Sequence, residues 1–423
     1  MTQTFRATDM SFADRSSPAA GLMLRAWTGA EIELGLQEWR ALESRMGDVP
    51  LMGSHLWTAS WLRVYRDQVP AAIVALERAG QTIAAALVTR GVGQKSGPVP
   101  IRTLHLGTAG ERHGHSVCVE YNGILCERAN RPAMIAALQS WLAAQGQVDE
   151  LRLDGWPAAE VSEWSWPTSP SESRLRDCKY FDLDKARDGK VEPIELLGRS
   201  TRQNIRRILR KYGDIETTWA ASLEDADDIL TDLIRLHQAR WQSAGQPGAF
   251  SSASFEAFQR QLLVQGFDDQ KVVLFRARHQ GESIGCLMLL VDRGRMLDYV
   301  SGFASFEQKP SPGLVTHYLC LSEAARRGYR AYDFLVGDKR HKDNLSTDIQ
   351  QLAWATWRRR TLRNTAIDAL KYLKKLRTKN PGFSPGSQDK ASSETQPTSP
   401  EAGVLEALSP SEAKPTEALS AHS

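Results

Sequence analysis

Two blocks of similar sequence constrain the fold of this chain more than any other feature. In each block a glycine and two polar residues separate two apolar runs, which is the pattern of a β-hairpin. A further apolar segment, a helical stretch and a strand that ends in glycine follow each hairpin. The first block covers residues 73–88, 133–144 and 151–155, and the second covers residues 273–289, 314–326 and 332–337. Because the order of elements matches as well as the turns, we expect a duplicated α/β domain.

The ends of the chain and its middle differ in composition from the two blocks. Residues 1–20 and 381–423 are rich in small and polar residues and have little apolar surface to bury, so we expect two disordered tails. A Ser-rich stretch with the composition of a linker contains Trp164, Trp166, Pro167 and Pro170. These features predict an N-terminal domain at 21–175, a C-terminal domain at 176–356 and a terminal helix at 357–380.

The overall composition favours a soluble globular protein. The 423 residues are 41% hydrophobic and 24% charged, which excludes a wholly disordered chain, and a net charge of +3 gives no general attraction to nucleic acid. The five cysteines form no Cys-x-x-Cys pair, so we expect neither a zinc site nor a disulfide framework. The longest apolar run, around residues 284–291, is too short to span a bilayer. We therefore expect a cytoplasmic protein with reduced cysteines.

Residues 200–212 have the pattern of an amphipathic helix. Ser200 and Gln203 have the spacing of a capping box, and an apolar stripe follows at Ile205, Ile208, Leu209 and Tyr212. The other side carries arginines at three- or four-residue spacing, namely Arg199, Arg202, Arg206 and Arg210. Like charges at this spacing repel each other. This face therefore either binds an anionic partner such as phosphate or lies near acidic residues.

The run from Tyr332 to Lys342 carries the strongest indication of chemistry. It is an aromatic strand that leads into Gly337, Asp338 and several basic residues. Open α/β layers usually bind ligands at the carboxyl ends of their strands, although strands of this composition are also common in ordinary cores. Upstream, Asp298 lies in an apolar strand, where a buried carboxylate is costly unless it is paired, so it is either functional or solvent-facing. Both segments are therefore candidate parts of a site.

Together these segments resemble the GNAT-like acyltransferases of the BioF2-like or cellulose-biosynthesis CelD type, which are related to the FemAB peptidyltransferases. The resemblance is strong over residues 195–345 and weaker over residues 20–160. It is carried by residues 200–207, 236–241 with Gly245 and Phe250, 301–303, 311–313, and 333–338 with Lys342. It implies an α/β protein of tandem GNAT folds, in which helices flank mixed, mostly antiparallel sheets and the N-terminal copy is degenerate.

The resemblance also implies roles for individual residues, with acyl-CoA as the donor and no metal. Lys309, Ser311 and Gly313 would hold the pyrophosphate at the start of the helix at 314–326, since backbone amides there bind phosphates. Asp298 would be the general base, and Tyr332 would either protonate the leaving thiolate or pack in the core. The acceptor would contact Arg202, Arg206, Arg240, Trp241, Asp333, Asp338 and Lys342. Alternatively, Asp333 orients Arg202 or Arg240.

The sequence departs from the family pattern in two places. Residues 308–313 read Gln-Lys-Pro-Ser-Pro-Gly, where the superfamily usually has an Arg/Gln-x-x-Gly-x-Gly/Ala loop. The family usually has an aromatic residue before the final lysine, whereas residues 339–341 are basic here. The first departure concerns the donor loop, and the second concerns the identity of the acceptor.

The expected reaction is transfer of an acyl group, with acetyl as the first candidate, to an amine of a sugar or cell-envelope precursor. One alternative is a FemAB-like transferase that uses aminoacyl-tRNA; the near-neutral charge and the lack of an obvious coiled-coil arm count against it. The other is a non-catalytic accessory protein of polysaccharide biosynthesis. The basic residues 357–380 would form an amphipathic helix, which either contacts the inner face of a membrane or packs on the body.

Overall fold

The computed structural model describes residues 15–16, 21–96, 98–164, 170–305 and 310–379. Apart from Arg15 and Ser16, which form a short strand, the two expected disordered tails lie outside these ranges. Trp166 and Pro167 of the expected linker and Lys309 of the expected phosphate loop also lie outside the described residues.

Each copy has its hairpin, further strands, a helix and a last strand in the order that the repeat predicts. The strands are β1 Arg15–Ser16, β2 Leu22–Thr28, β3 Ala71–Arg78, β4 Gln81–Arg90, β5 Lys95–Ser96, β6 Val99–Pro100, β7 Thr103–Leu106, β8 Leu125–Cys126, β9 Glu150–Pro157, β10 Glu172–Asp182, β11 Glu216–Trp219, β12 Val272–His279, β13 Glu282–Asp292, β14 Arg295–Phe303, β15 Ala331–Val336 and β16 Asp348–Arg358. The helices are α1 Ile32–Arg45, α2 His55–Tyr65, α3 Arg131–Ala144, α4 Ala158–Val161, α5 Leu183–Asp188, α6 Arg199–Tyr212, α7 Leu223–Ser243, α8 Ala253–Gly266, α9 Pro312–Arg326, α10 Arg340–Leu345 and α11 Leu362–Lys379.

Within the described ranges, fourteen strands form one continuous mixed sheet with helices on both faces. Its order is β1-β2-β3-β4-β7-β9-β16-β10-β15-β14-β13-β12-β11, with β8 paired to β4. The N-terminal copy, β2-β3-β4-β7-β9, is mirrored in order by the C-terminal copy, β11-β12-β13-β14-β15. In each copy only the last two strands are parallel, β7 with β9 and β14 with β15. The structure is therefore an α/β fold built from two mostly antiparallel units with the same strand order.

The two copies exchange a strand at the centre of the sheet. Strand β10 follows the N-terminal copy in sequence but pairs with β15 of the C-terminal copy. Strand β16 follows the C-terminal copy but pairs with β9 of the N-terminal copy. The domain boundary expected at 175/176 falls inside β10, so the copies are joined by hydrogen bonds on both sides of that position.

The helices that precede each hairpin share one core. Helices α1 and α2 of the first copy and α7 and α8 of the second contribute to a single apolar cluster on one face of the sheet. The rings of Trp57 and Phe258 meet edge to face there, with centroids 5.0 Å apart. On the other face, α3 covers the first copy and α6 and α9 cover the second, in two separate clusters. The first face therefore holds the copies together.

Helix α6 confirms the expected apolar stripe but not the expected cap. Ile205, Ile208 and Tyr212 are buried, and Leu209 packs against the same cluster. The helix begins at Arg199 after Gly198, and no side chain caps its first turn, so the predicted capping box is wrong. The reason is that the helix begins two residues too early for Ser200 to occupy the cap position, which Gly198 takes instead.

The predicted terminal helix begins later than expected. Trp357 and Arg358 belong to β16 and pair with Leu151 and Glu150, so α11 starts only at Leu362. Its first turns are attached to the body, since Asn364 Nδ2 donates to the carbonyls of Asp149 and Arg359 and Ile367 is buried. None of the helices in the described part of the chain is both long and apolar enough to cross a membrane.

Candidate active site

Strands β14 and β15 diverge and leave a wedge between their carboxyl halves. Their parallel pairing joins Arg295 with Ala331, Met296 with Tyr332 and Leu297 with Asp333, and it ends there. A register shift against β13 displaces β14 at Tyr299, and Leu335 bends β15 with a left-handed φ of 57°. A non-glycine residue in that region is strained and is held there by its surroundings. Helix α9 begins beside the wedge.

In the N-terminal copy the equivalent wedge is filled. Residues 107–124, which we call the inserted segment, leave the end of β7 and return at β8, so that β4 pairs first with one strand and then with the other. Asn122 spans the gap, because its Nδ2 donates to the carbonyl of Leu106 and its backbone N–H donates to the carbonyl of Gly155. A Cβ atom on Gly155 would lie 2.3 Å from the carbonyl oxygen of Val119. The first copy therefore has no open cleft at this position.

An acid, an imidazole and a phenol meet on the α9 side of the C-terminal wedge. His317 on α9 points its Nδ1 at the Tyr332 hydroxyl, 3.1 Å away, and at Asp298 Oδ2, 3.6 Å away. The other oxygen of Asp298, Oδ1, is buried and has no hydrogen-bond partner among the described residues. A neutral imidazole carries one proton, so Nδ1 can accept from Tyr332 or donate to Asp298 but cannot do both. The geometry thus brings the two predicted catalytic residues together through a histidine.

Burial keeps this histidine and its neighbour His341 uncharged. The two rings stack with centroids 5.0 Å apart, and Phe303 and Phe334 pack against His317. Burial lowers the pKa of His317, although Asp298 opposes the shift, and it lowers the pKa of His341 further. Burial also raises the pKa of the Tyr332 phenol well above its usual value. All three groups are therefore neutral at pH 7.

The opposite face of β15 carries a second polar cluster, centred on Asp333. Its Oδ2 accepts from the Tyr121 hydroxyl at 2.6 Å and pairs with Arg295 Nε at 2.9 Å. Its Oδ1 accepts from the backbone of Leu335 at 2.8 Å. Asp333 is fully buried and pairs with Arg295, whereas Arg202 pairs with Glu195. Its expected contact with the acceptor stays a prediction.

The inserted segment reaches the end of β15 through Glu120. Its Oε2 accepts from the Val336 N–H at 2.8 Å, while Oε1 is buried without a partner among the described residues. Lys342 Nζ donates to the carbonyls of Leu335 and Val336, at 3.2 and 2.7 Å. Burial raises the pKa of Glu120 to about 7, against the opposing attraction of Lys342. Lys342, expected to contact the acceptor, is thus largely engaged with the bend of β15.

The residues expected to bind the donor lie at the start of α9. Ser311 precedes the helix with a left-handed φ of 47°, and its side chain does not cap it. Gly313 is buried in the first turn, where an added Cβ would touch the Phe303 ring at 3.4 Å. This is an ordinary contact distance, so the packing of α9 on β14 does not itself require a glycine at position 313. The first-turn amide groups remain the local feature that suits a phosphate.

Arg240 and Trp241 lie near the wedge, at the end of α7. Trp241 is buried and packs against His237, whose Nδ1–H donates to the carbonyl of Ser301 at 3.0 Å. Burial lowers the pKa of His237 to about 4, so this ring is a neutral link between α7 and β14. Arg240 precedes Trp241 on α7, and its charge adds to burial in lowering the pKa of both His237 and His341.

Three other residues that were expected to contact the acceptor substrate form ion pairs with other side chains. Arg202 and Arg206 both contact Glu195, with Arg206 Nη2 2.5 Å from its carboxylate. Asp338 follows β15 on the surface, with 79% of its side chain exposed, and pairs with Arg176 at 3.4 Å. The basic face of α6 thus lies near one acidic residue, Glu195. Arg199, Arg210 and Lys211 have no ion pair with any residue in the described ranges.

His317, His341, Glu120 and Tyr121 were missed in the sequence. His317 follows Gly313 by four residues and therefore shares its helix face, a spacing that could have been noticed. Glu120 lies 216 residues from Val336. No local pattern connects positions so far apart in sequence.

This arrangement can perform group transfer. It combines an open wedge between parallel strands, a helix start at its mouth and a buried acid and imidazole on its floor. The acetyltransferase (GNAT) domain family matches residues 199–343 of the chain, which include α6 through most of α10. The protein thus contains a domain of the GNAT acetyltransferase superfamily and is a transferase of the acyltransferase class.

Solved structures share the fold at low sequence identity. FemX is 12% identical, with 79% of this chain and 98% of FemX covered at a TM-score of 0.51. A C-terminal domain assigned to a lysylphosphatidylglycerol synthetase from Agrobacterium fabrum is 10% identical, with 81% and 97% covered and a TM-score of 0.49. A tandem GNAT protein from the clavulanic acid biosynthesis pathway is 13% identical, with 79% and 98% covered and a TM-score of 0.41. No curated protein sequence matches the chain. The likeness to FemX shows a shared fold.

Proposed function

We propose that the C-terminal copy transfers an acyl group from acyl-CoA to an amine of a sugar or cell-envelope precursor. The observation that carries the proposal is the contrast between the two wedges. The N-terminal wedge is filled by Asn122, whereas β14 and β15 diverge beside the start of α9, with Asp298 and His317 on the α9 side of the wedge. The nature of the acceptor rests on the sequence resemblance.

The donor would lie in the wedge with its phosphates at α9. Helix α9 is fifteen residues long and opens with Pro312, which fits a first turn, so its partial positive charge faces the mouth of the wedge. Beyond Leu297, β14 has no partner on β15, so its backbone groups there would suit the amides of the pantetheine arm, apart from the Ser301 carbonyl, which accepts from His237. Arg240, Lys339 and Lys342 would add positive charge for the phosphates.

The transfer step needs one proton acceptor and one proton donor. The amine nitrogen loses a proton to the Asp298 carboxylate, directly or through His317, and its lone pair attacks the thioester carbonyl. The C–N bond forms, the C–S bond breaks, and the thiolate takes up a proton to give CoA with a free thiol. Asp298 suits the role of base because its Oδ1 has no other hydrogen bond to lose among the described residues. Tyr332, linked to His317, suits the role of proton donor.

Turnover in an Asp298→Asn variant tests whether Asp298 is the general base. With acetyl-CoA as the donor and D-glucosamine, glucosamine 1-phosphate and a panel of amino sugars as acceptors, release of the CoA thiol measures transfer. The control is Asp154→Asn, which removes a buried carboxylate from the N-terminal copy, where Asp154 pairs with His105 at 2.6 Å. We expect Asp298→Asn to lower kcat by about 100-fold or more while Asp154→Asn retains turnover at temperatures where both are folded. Equal turnover in the Asp298→Asn variant and the wild type would contradict the mechanism.

A transferase that uses aminoacyl-tRNA is the second candidate. The supporting observation is the exposed basic face of α6, where Arg199, Arg210 and Lys211 lack carboxylate partners among the described residues. Phosphates of a tRNA acceptor arm would relieve their mutual repulsion. Binding of aminoacyl-tRNA that weakens steeply with salt, together with no binding of acyl-CoA, would favour this candidate.

A cytoplasmic location at the inner face of a membrane completes the proposal. The five cysteines are all free thiols in the structure, which suits a reducing compartment. Leu362 and Leu370 of α11 are exposed, at 92% and 49%, on a helix with basic residues. Sedimentation of the protein with anionic vesicles, and its loss after Leu362→Ser with Leu370→Ser, tests the membrane contact.

A further inference from the structure

We propose that Glu120, supplied by the N-terminal copy, is a positioning residue for the C-terminal active site. It holds the bent end of β15 and fixes Lys342 beside it, and so maintains one wall of the wedge. This inference rests on the proposed function, because the wedge matters only if it holds a substrate. It assigns the degenerate copy a part in the reaction.

On its β14 side the bend of β15 is held by two side chains, while on the other side Val336 stays paired with Cys178 of β10. Leu335 turns the strand with a left-handed φ, and pairing with β14 has already ended at Asp333. The Val336 N–H donates to Glu120, and the carbonyls of Leu335 and Val336 accept from Lys342. Buried backbone groups without a partner are costly. Loss of Glu120 would therefore release Val336 and the strained turn at Leu335.

The surroundings of Glu120 indicate a role beyond packing. Only 1% of the residue is exposed, and one carboxylate oxygen has no hydrogen bond among the described residues. Burying a carboxylate in this way is expensive, and an apolar residue would fill the space at lower cost. The N-terminal copy does not use the carboxylate, since its recorded hydrogen bonds go to Val336 and to the thiol of Cys178. Its contacts therefore serve the other copy.

Three consecutive residues of the inserted segment join the copies. Glu120 binds β15 at Val336, Tyr121 binds β15 at Asp333, and Asn122 binds the N-terminal copy at Leu106 and Gly155. The segment that fills the N-terminal wedge is thus the one that supports the C-terminal wedge. The first copy thus has no open cleft of its own and contributes side chains to the wall of the other.

Charges from several elements act on Glu120. Lys342 of α10 and Arg176 of β10 favour its ionised form, whereas Asp333 of β15 opposes it, and the Cys178 thiol lies 3.9 Å away. With its pKa raised to about 7 by burial, Glu120 gains its charge near neutral pH. Because an ionised Glu120 holds Lys342 more strongly, we expect turnover to rise with pH through this range.

The matched control is Glu111. It lies in the same inserted segment and is also buried, burial raises its pKa to about 7, and Trp61 Nε1 donates to it at 2.6 Å. Unlike Glu120, it has no recorded bond to β15 or α10. Glu111→Gln therefore reproduces the burial and the charge change without touching the wedge.

The experiment compares Glu120→Gln and Glu111→Gln with the wild type in two measurements. The first is transfer from acetyl-CoA to D-glucosamine across pH 6–9. We expect Glu120→Gln to lower kcat about tenfold, to change KM for acetyl-CoA much less, and to remove the rise through pH 7, while Glu111→Gln keeps the rise. The second is acetylation of lysines by an amine-reactive ester, mapped by mass spectrometry, in which Lys342 should label several-fold faster in Glu120→Gln only.

The two measurements separate this inference from the proposed function. If the wild type shows no transfer, the proposed function fails, and labelling of Lys342 still decides whether Glu120 holds it. If the wild type is active and Glu120→Gln matches Glu111→Gln in both pH profile and labelling, Glu120 is a packing residue and the inference is overturned. A loss of kcat in Glu120→Gln with unchanged labelling of Lys342 also overturns it.

Discussion

Tyr332 and Asp333 are consecutive on β15, and their side chains serve two different clusters on opposite faces of the sheet. The Tyr332 hydroxyl meets His317 on the α9 side, and the Asp333 carboxylate meets Tyr121 and Arg295 on the other. Alternation along a strand makes this separation unavoidable. The same short strand therefore connects the candidate catalytic groups with the interface between the copies.

Replacing Asp333 should destabilise the whole protein. Asp333→Asn leaves Arg295 with an unbalanced charge beside a buried cluster, and we expect a loss of about 3–5 kcal/mol in the free energy of unfolding. Asp338→Asn, on the exposed surface two residues beyond β15, should change it by less than about 0.5 kcal/mol. Urea unfolding of both variants measures the difference, and equal stabilities would show that the Asp333 cluster contributes little.

The buried glutamates should make stability depend on pH. Burial raises the pKa of Glu111 from 4.5 to about 7, so between these values the folded state binds more protons than the unfolded state. The free-energy cost of ionising the buried Glu111 carboxyl is absent below pH 4.5, grows as the pH rises, and is complete above about pH 7. We expect the wild type to lose up to about 3 kcal/mol relative to Glu111→Gln between pH 5 and pH 8. If the free energies of unfolding of the two proteins change in parallel with pH, the pKa of Glu111 is not raised in the folded state.

Replacing His317 should impair turnover with little effect on packing. In His317→Phe an aromatic ring still fills the space between Phe303, Phe334 and His341, but Nδ1 is lost. We expect kcat to fall about 100-fold. His279→Phe, which alters a ring that packs on Tyr212 away from the wedge, is the control. If His317→Phe kept wild-type turnover, the prediction would be wrong and Asp298 would act as the base without His317.

Sequence patterns predicted the helices and strands better than they predicted which strands pair with each other. The repeat predicted both hairpins and both α/β units, and the spacing of Ile205, Ile208 and Tyr212 predicted the buried face of α6. The exchange of β10 and β16 could not be predicted, because a strand's composition shows that it will pair but does not show with which neighbour. The terminal helix was placed too early because Trp357 and Arg358 suit a helix as well as the strand they form.

The candidate site was predicted in part. The sequence indicated Asp298 and Tyr332 as reacting groups, and the structure brings them to one histidine, while their roles stay predictions. Lys342 looked like a surface cation after a strand, yet it is buried on two carbonyls because α10 folds back over Gly337. Glu120 and Tyr121 act across the interface between the copies, and no spacing rule reaches that far.

The strand exchange should make unfolding a single event. Because β10 and β16 each pair with strands of the opposite copy, neither copy can lose its sheet while the other keeps its own. We expect one calorimetric transition whose calorimetric and van't Hoff enthalpies agree. Two separated transitions would mean that the copies unfold independently.

Calorimetric titration with acetyl-CoA tests the central claim most directly, namely that one donor site lies in the wedge of the C-terminal copy. We predict one molecule bound per chain, with binding weakened at least about tenfold by Ser311→Glu, which adds a negative charge at the start of α9. Ser140→Glu adds the same charge on the exposed side of α3 in the N-terminal copy and should leave binding unchanged. Two molecules per chain, or binding that Ser140→Glu weakens and Ser311→Glu does not, would contradict the account.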